Sequence, residues 1–301
     1  MHSIGRWTLV IALLLSVTAG FAADRKFAKQ LPAKAGGKLR VETDLGSVKV
    51  VGTDDQQVSV EVQLRGRERD VEGFQISAEE MSGGVKVEGH ATWKRGWFGN
   101  STDLDVEFTI KVPRNYNLSL ETSAGDLDIS SLKGEVHGET SGGSIFVGAV
   151  EGNVWMETSG GDIKIQKVAG ELKAETSGGS IVVGDINGNA EVGTSGGDIH
   201  LGEVSGRIVG ETSGGNIIVR AGKVNAGVHV ETSGGDIEIA VPKGIGASID
   251  ASTSGGDVVC DLPVTVSGRV SEGSIRGTVN GGGNKITART SGGNIRIKAL
   301  P

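Results

Sequence analysis

The chain has little of what stabilises most exported proteins. Cys260 is the only cysteine in 301 residues, so no intramolecular disulfide can form, and a lone thiol reads as a small buried apolar residue rather than a reactive one. Five prolines are too few for a collagen-like or proline-rich chain. Aromatics make up 4%, so large rings cannot dominate the core. Excess positive charge is also missing: a formal net charge of -7 and a pI near 5.4 give no general attraction to nucleic acid or anionic lipid. His90, His137, His200 and His229 show neither metal-ligand spacing nor a nucleophile partner. No apolar run after the N-terminus approaches 18 residues, so no membrane anchor is expected once a leader is removed.

The N-terminus reads as such a leader. Arg6 supplies the positive charge, and Thr8 to Val17 is an apolar stretch too short to span a bilayer comfortably. Gly20-Phe21-Ala22-Ala23 offers small residues for cleavage. Residues 1–23 are therefore read as a signal peptide, with a mature chain from about Asp24 that is exported to the periplasm or the cell surface. No cysteine near the cleavage site is available to carry a lipid.

What the chain has in abundance is glycine, 51 residues of it, arranged periodically. ETSGGSIFVG from Glu139 recurs as ETSGGDIKIQ, ETSGGSIVVG, GTSGGDIHLG, ETSGGNIIVR and ETSGGDIEIA. The serines Ser123, Ser141, Ser159, Ser177, Ser195 and Ser213 lie 18 apart; Ser233, Ser254, Ser271 and Ser291 follow at 20, 21, 17 and 20. A fixed period in this range marks a solenoid. Within the unit from Glu157, Ile163 and Ile165 point one way and Asp162, Lys164 and Gln166 the other. After a bend at Val168 to Gly170, Leu172, Ala174 and Thr176 share the inward side. That is strand periodicity, twice per repeat.

The expected fold is thus an all-β parallel β-solenoid, β-helix or β-roll-like, with about 18 residues and two short strands per coil. Right-handed winding is expected because parallel crossovers are usually right-handed. About ten coils, roughly 4.8 Å apart, would make a rod of about 45–50 Å. Gly142-Gly143 and their equivalents fall at the corner, where positive φ and close backbone approach both favour glycine. The inward threonines from Thr140 to Thr232 should stack, each hydroxyl reaching a neighbouring hydroxyl or a carbonyl.

A second period lies within the first. The residue after Gly-Gly runs Ser144, Asp162, Ser180, Asp198, Asn216, Asp236, and the outward residue two places on runs Phe146, Lys164, Val182, His200, Ile218, Glu238. The duplication unit is two coils, which spaces the aspartates about 9.6 Å apart and lowers their repulsion. Phe146, Val182 and Ile218 fall on one outer face, either as ordinary strand formers or as a partner-binding strip. Glu121, Glu139, Glu157 and Glu175 stack on consecutive coils as an acidic ridge, with weak divalent-cation binding as the alternative reading.

Residues 24–113 hold a first coil, VETDLGSVKVVG, in which Asp44-Leu45-Gly46-Ser47 replaces Ser-Gly-Gly-Asp, and then alternating stretches read as a strand meander capping the N-terminal end. HATWKRGWF from His90 offers Trp93, Trp97 and Phe98 either as an exposed loop tip for a glycan, lipid headgroup or protein, or as rings folded onto the cap. The repeat region, 114–301, ends without anything left over to cover its last coil, so that edge is expected to be shielded locally or to pair with a second copy.

GKLRVETDLGSVKVVG, VEFTIKVPRNYNLSLETSAGDLDI and the train of TSGGDI coils together resemble the bacterial putative-adhesin family, an exported domain of unknown function, over roughly Gly37 to Lys298. The resemblance implies a β-solenoid at the cell envelope with an adhesive or surface-interaction role, and no catalytic residues. The expected function is therefore a non-enzymatic envelope rod, adhesin-like or a scaffold, whose partner is a surface protein, a glycan or another copy of itself. No cofactor or metal is expected. The competing reading is a polysaccharide-acting β-helix enzyme, which would need paired carboxylates in a groove built by long loops; coils of 18 to 21 residues leave little room for them. A calcium-dependent roll would need an Asp in each half-coil, and the coils from Ser141 to Thr232 carry one at most.

Overall fold

The computed structural model describes residues 23–93, 103–223, 226–266 and 271–300. Residues 1–22 of the expected leader, and Trp97 and Phe98, lie outside them. The described residues are 64% strand and 2% helix, laid out as two 14-stranded sheets facing each other across a single apolar core.

The unit predicted from the sequence is present coil after coil. Strand Val154–Thr158 buries Val154, Met156 and Thr158 and turns Trp155 and Glu157 outward; after the corner, strand Ile163–Val168 buries Ile163, Ile165 and Val168. Each strand pairs in parallel with its copy 18 residues away: Val154 lies beside Leu172, and Ile163 beside Ile181. Alternation puts every second side chain inside, and in-step stacking makes the interior a set of Ile, Val and Leu columns.

Two side-chain ladders fix the corner. Thr158 Oγ1 donates to the Gly143 carbonyl of the preceding coil (2.8 Å) and accepts from the Gly161 N–H of its own coil (3.4 Å). Thr140, Thr176, Thr194, Thr212 and Thr232 repeat the donation to Gly125, Gly161, Gly179, Gly197 and Gly215. The hydroxyls therefore stack through backbone carbonyls, not through one another. The second ladder uses the residue after Gly-Gly, whose side-chain oxygen accepts the backbone N–H of its counterpart one coil on: Asp126 for Ser144, Ser144 for Asp162, Asp162 for Ser180, Ser180 for Asp198. Ser, Asp and Asn all supply that acceptor, which is why only these types occur there.

The glycines of TSGG serve close approach alone. None of them lies in the left-handed region, so the expectation of positive φ there does not hold. At the second glycine a Cβ would overlap a carbonyl of the preceding coil, Gly125 for Gly143 and Gly143 for Gly161, whereas at Gly142 a Cβ would meet nothing and at Gly160 only ordinary contacts from 3.6 Å.

Both ends of the rod depart from sequence order. At the N-terminal end, strands Gly37–Thr43 and Ser47–Thr53 form a coil that lies between Tyr116–Thr122 and Leu127–Ile129 on one side and Gly84–Ala91 and Leu104–Pro113 on the other. Beyond these, Gln57–Gly66 and Ala23–Pro32 add antiparallel to one sheet and Phe74–Met81 to the other. Edge strand Ala23–Pro32 turns two cations inward: Arg25 donates to the Val71 carbonyl (3.1 Å) in the single-turn helix Glu68–Glu72, and Lys29 to the Ala78 carbonyl (2.6 Å) of the opposite edge strand. Inward charge tied to the facing edge makes this end a poor template for further strands.

At the C-terminal end the last coil in sequence is not the last in space. Strands Lys285–Thr290 and Ile295–Ala299 insert between the coil of Val228–Thr232 and Ile237–Val241 and the coil of Ala247–Thr253 and Val258–Cys260. Ser274–Val279 and Val264–Val266 then extend the Ala247–Thr253 sheet antiparallel. The expectation of an uncovered terminal coil ending at Pro301 is therefore corrected: that coil has a neighbour on each side. Charge explains the placement. The inserted coil carries Lys285, Arg289, Arg296 and Lys298, and its neighbours carry the acids. Arg289 meets Glu231 (2.9 Å) on one side and Asp250 (3.6 Å) on the other; Lys298 meets Glu238 (2.6 Å), Lys285 meets Asp250 (2.7 Å) and Arg296 meets Asp261 (2.9 Å). A basic coil lies between two acidic ones.

Candidate binding faces

Outward side chains on a solenoid stand in columns, because each sits above its counterpart one coil away. One sheet carries the column Asp128, Phe146, Lys164, Val182, His200, Ile218, Glu238, in register from coil to coil. Phe146 and Val182 are each 40% exposed and Ile218 36%, so the structure places all three on one outer face. They do not touch: Lys164 and His200 intervene, about 9.6 Å separates successive members, and the Lys164 ammonium lies 5.8 Å from the Phe146 ring centre. The result is an alternating apolar and polar strip, bordered near Phe146 by a shallow concavity that includes Ser130, Ser131 and Gln166.

The candidate loop tip of Trp93, Trp97 and Phe98 is represented by Trp93 alone, which behaves differently. Trp93 is half-buried, its ring 6.3 Å from that of Phe74 and tilted 39° to it, and it packs against Gly73 so closely that a Cβ there would press on the indole. It belongs to the cap.

The opposite sheet holds a residue that the sequence pattern alone did not single out. Trp155 is 46% exposed in the column Ser119, His137, Trp155, Lys173, Glu191, Val209. His137 meets its ring edge-on with centroids 4.7 Å apart, and the Lys173 ammonium sits 5.5 Å from its centre. Lys173 is in turn held by Glu175 at 3.1 Å, which raises its pKa. Beside this column, at the second corner, Asn117, Asn153 and Asn189 accept the backbone N–H groups of Glu135, Glu171 and Arg207. The column and the corner together line an open groove of about 760 Å³. One sequence signal pointed to it: a tryptophan at a solvent-facing strand position in a chain with so few aromatics.

The acidic ridge is as expected, with Glu121, Glu139, Glu157 and Glu175 side by side. Among the described residues no three His, Cys, Asp or Glu side chains come together in a way that could hold a metal ion, and no helix is long and apolar enough to cross a membrane. Cys260 is half-buried, and burial pushes its thiol pKa up.

Several solved structures are similar to this chain at low identity. A putative cell adhesion protein from Clostridium sporogenes ATCC 15579 is 15% identical, covers 91% of this chain and 100% of its own, and has a TM-score of 0.24. A putative adhesin from Bacteroides fragilis NCTC 9343 is 14% identical with 91% and 97% covered and a TM-score of 0.38. A putative lipid binding protein from Parabacteroides distasonis ATCC 8503 is 13% identical with 92% and 97% covered and a TM-score of 0.38. Scores this low carry no argument about ligands. No curated protein matches the chain. A family model matches residues 37–298, and the chain belongs to the Toastrack DUF4097 family.

Proposed function

We propose that the protein is a non-enzymatic rod of the cell envelope, exported by its N-terminal leader, whose outer faces bind a surface component and whose core serves only to hold those faces rigid. The observation that carries this reading is the exposure of Phe146, Val182, Ile218 and Trp155 on strands whose inward residues are fully packed. Large apolar side chains held rigid in water offer area that a partner can cover at little entropic cost. Catalysis calls for groups brought together from different elements, and here the outward carboxylates of the ridge from Glu121 to Glu175 stand in a column of copies.

The test is fractionation with an antibody to the mature chain, together with incubation of purified protein with envelope polysaccharides. We expect the chain in the envelope fraction and no release of reducing ends. Recovery in the cytosol, or turnover of a polysaccharide, would overturn the reading. Digestion by external protease in intact cells would assign the rod to the outer surface; protection until lysis would assign it to the periplasm.

A further inference from the structure

The groove beside Trp155 has a chemistry of its own. It runs along the rod over successive coils, from Lys38 and Asn117 at one end to Arg207 and Val209 at the other. Its charges are three cations, Lys38, Lys173 and Arg207, against three carboxylates, Glu135, Glu171 and Glu191, so the formal sum is zero. A polyanion would meet the carboxylates and a polycation the ammonium groups, so neither is favoured over a neutral ligand. The lining nonetheless offers donors and acceptors at every coil, with a repeat of about 4.8 Å along the axis. The one large apolar element is the Trp155 indole, 46% exposed and held in place by His137 and Lys173. A fixed indole at the surface offers apolar area at little entropic cost, since the partner does not have to immobilise it.

We propose that this groove binds an uncharged polysaccharide in extended form, lying along the rod with the apolar C–H face of one sugar ring against Trp155 and its hydroxyls hydrogen-bonded to Asn153, Glu171, Lys173 and Glu191. A chain of sugar rings matches three features at once. It is neutral, it is dense in hydroxyls that both donate and accept, and each ring is about as long as the spacing between coils. The groove volume of about 760 Å³ is that of a ligand of several rings. The proposal deepens the binding reading given above and rests on it.

The experiment is calorimetric titration of the full chain with neutral hexasaccharides (β-linked glucose, β-linked N-acetylglucosamine, α-linked glucose and α-linked mannose), with polygalacturonate as the charged comparison. Trp155→Ala and Val259→Ser, the latter at an exposed position (48%) outside the groove, are measured alongside, and thermal unfolding checks that each variant folds. We expect at least one neutral hexamer to bind, Trp155→Ala to weaken it tenfold or more at unchanged melting temperature, and Val259→Ser to bind as wild type does. Equal binding by Trp155→Ala, binding of polygalacturonate alone, or no binding by any neutral hexamer would overturn the proposal. Should Trp155→Ala unfold, Lys173→Gln and Glu191→Gln replace it, with at least a threefold loss expected from each. If no hexamer binds but isolated envelopes still retain the chain through a protein, the groove assignment fails while the envelope-binding function stands. Cleavage of a hexamer would instead overturn that function.

Discussion

Two adjacent glycines in TSGG look equivalent in the sequence and are not equivalent in the coil. The second packs its Cα against a carbonyl of the preceding coil; with no room to relax, Gly143→Ala should destabilise by on the order of 1–3 kcal/mol. The first faces open space at Gly142, where alanine should stabilise by about 0.4–1 kcal/mol by restricting the unfolded chain. Chemical denaturation of the two single variants measures both, and equal effects would refute the corner geometry. Thr158→Val keeps the shape but removes the hydroxyl, leaving the Gly143 carbonyl and Gly161 N–H unmet, at a cost of about 1–3 kcal/mol. The backbone N–H of Ser180 and then the Lys164 ammonium hold the Asp162 carboxyl below its ordinary value of 3.8. A depressed pKa in the folded state means stability present above the unfolded value and lost as pH falls through the folded one. Wild type should therefore lose stability below about pH 4 more steeply than Asp162→Asn, in which the amide oxygen still accepts the Ser180 N–H as Asn216 accepts that of Asp236. Melting curves from pH 6 to 2 compare the two. The Ser, Asp and Asn choice at this position was visible in the sequence, but its reason was not, because the acceptor serves a residue 18 places away that only the coil brings near.

Single strands and coils were legible wherever the 18-residue period held, and their order was lost where it lapsed. The alternation of neutral and acidic residues after Gly-Gly shows what was missing. Read along the chain it is broken by two consecutive acids, Asp236 and Asp257; read in space, Asn294 stands between them, accepting from Asp257 and donating to Asp236. The broken pattern in the sequence was the trace of the inserted coil, but a spacing of 17 to 21 residues looks the same whether the next coil lies beyond the last or slips between two others. Insertion also changes what truncation does. In a solenoid stacked in sequence order, removing the final coil exposes the one before it. Here, removing residues 284–301 takes away the parallel partner of Val258–Cys260 and, among the described residues, one of two neighbours of Ala247–Thr253. Limited proteolysis of the truncated chain should therefore cut throughout 242–283, while the coils up to Val241 stay protected. Survival of that segment would contradict the insertion. Arg289→Glu, which sets a third acid between Glu231 and Asp250, should lower stability by about 1 kcal/mol in low salt and by less in high salt. The Lys285 ammonium, against the cost of burial, and then Arg276 hold the Asp250 carboxyl below its ordinary value, so the clamp on the inserted coil should also weaken as pH falls below about 4.

For the molecule as a whole, periodicity specifies a rod and leaves its purpose to the outward columns. The core columns repeat because each coil must pack on the next. The outward columns are free to vary, and it is there that Phe146, Trp155, Val182 and Ile218 appear. Of these, the strip was readable from the two-coil period, whereas the Trp155 groove was not, because it is built from a corner and a strand face that join only when several coils are stacked. The claim that these faces bind an envelope component is tested most directly by cosedimentation of the purified full chain with isolated envelopes, titrated to saturation for wild type, Trp155→Ala and the Phe146/Val182/Ile218 triple serine variant. We expect saturable retention by wild type and loss of at least tenfold in one of the two variants, with both still folded. Wild-type protein that stays in the supernatant at every envelope concentration, or retention that neither variant alters, would contradict the account.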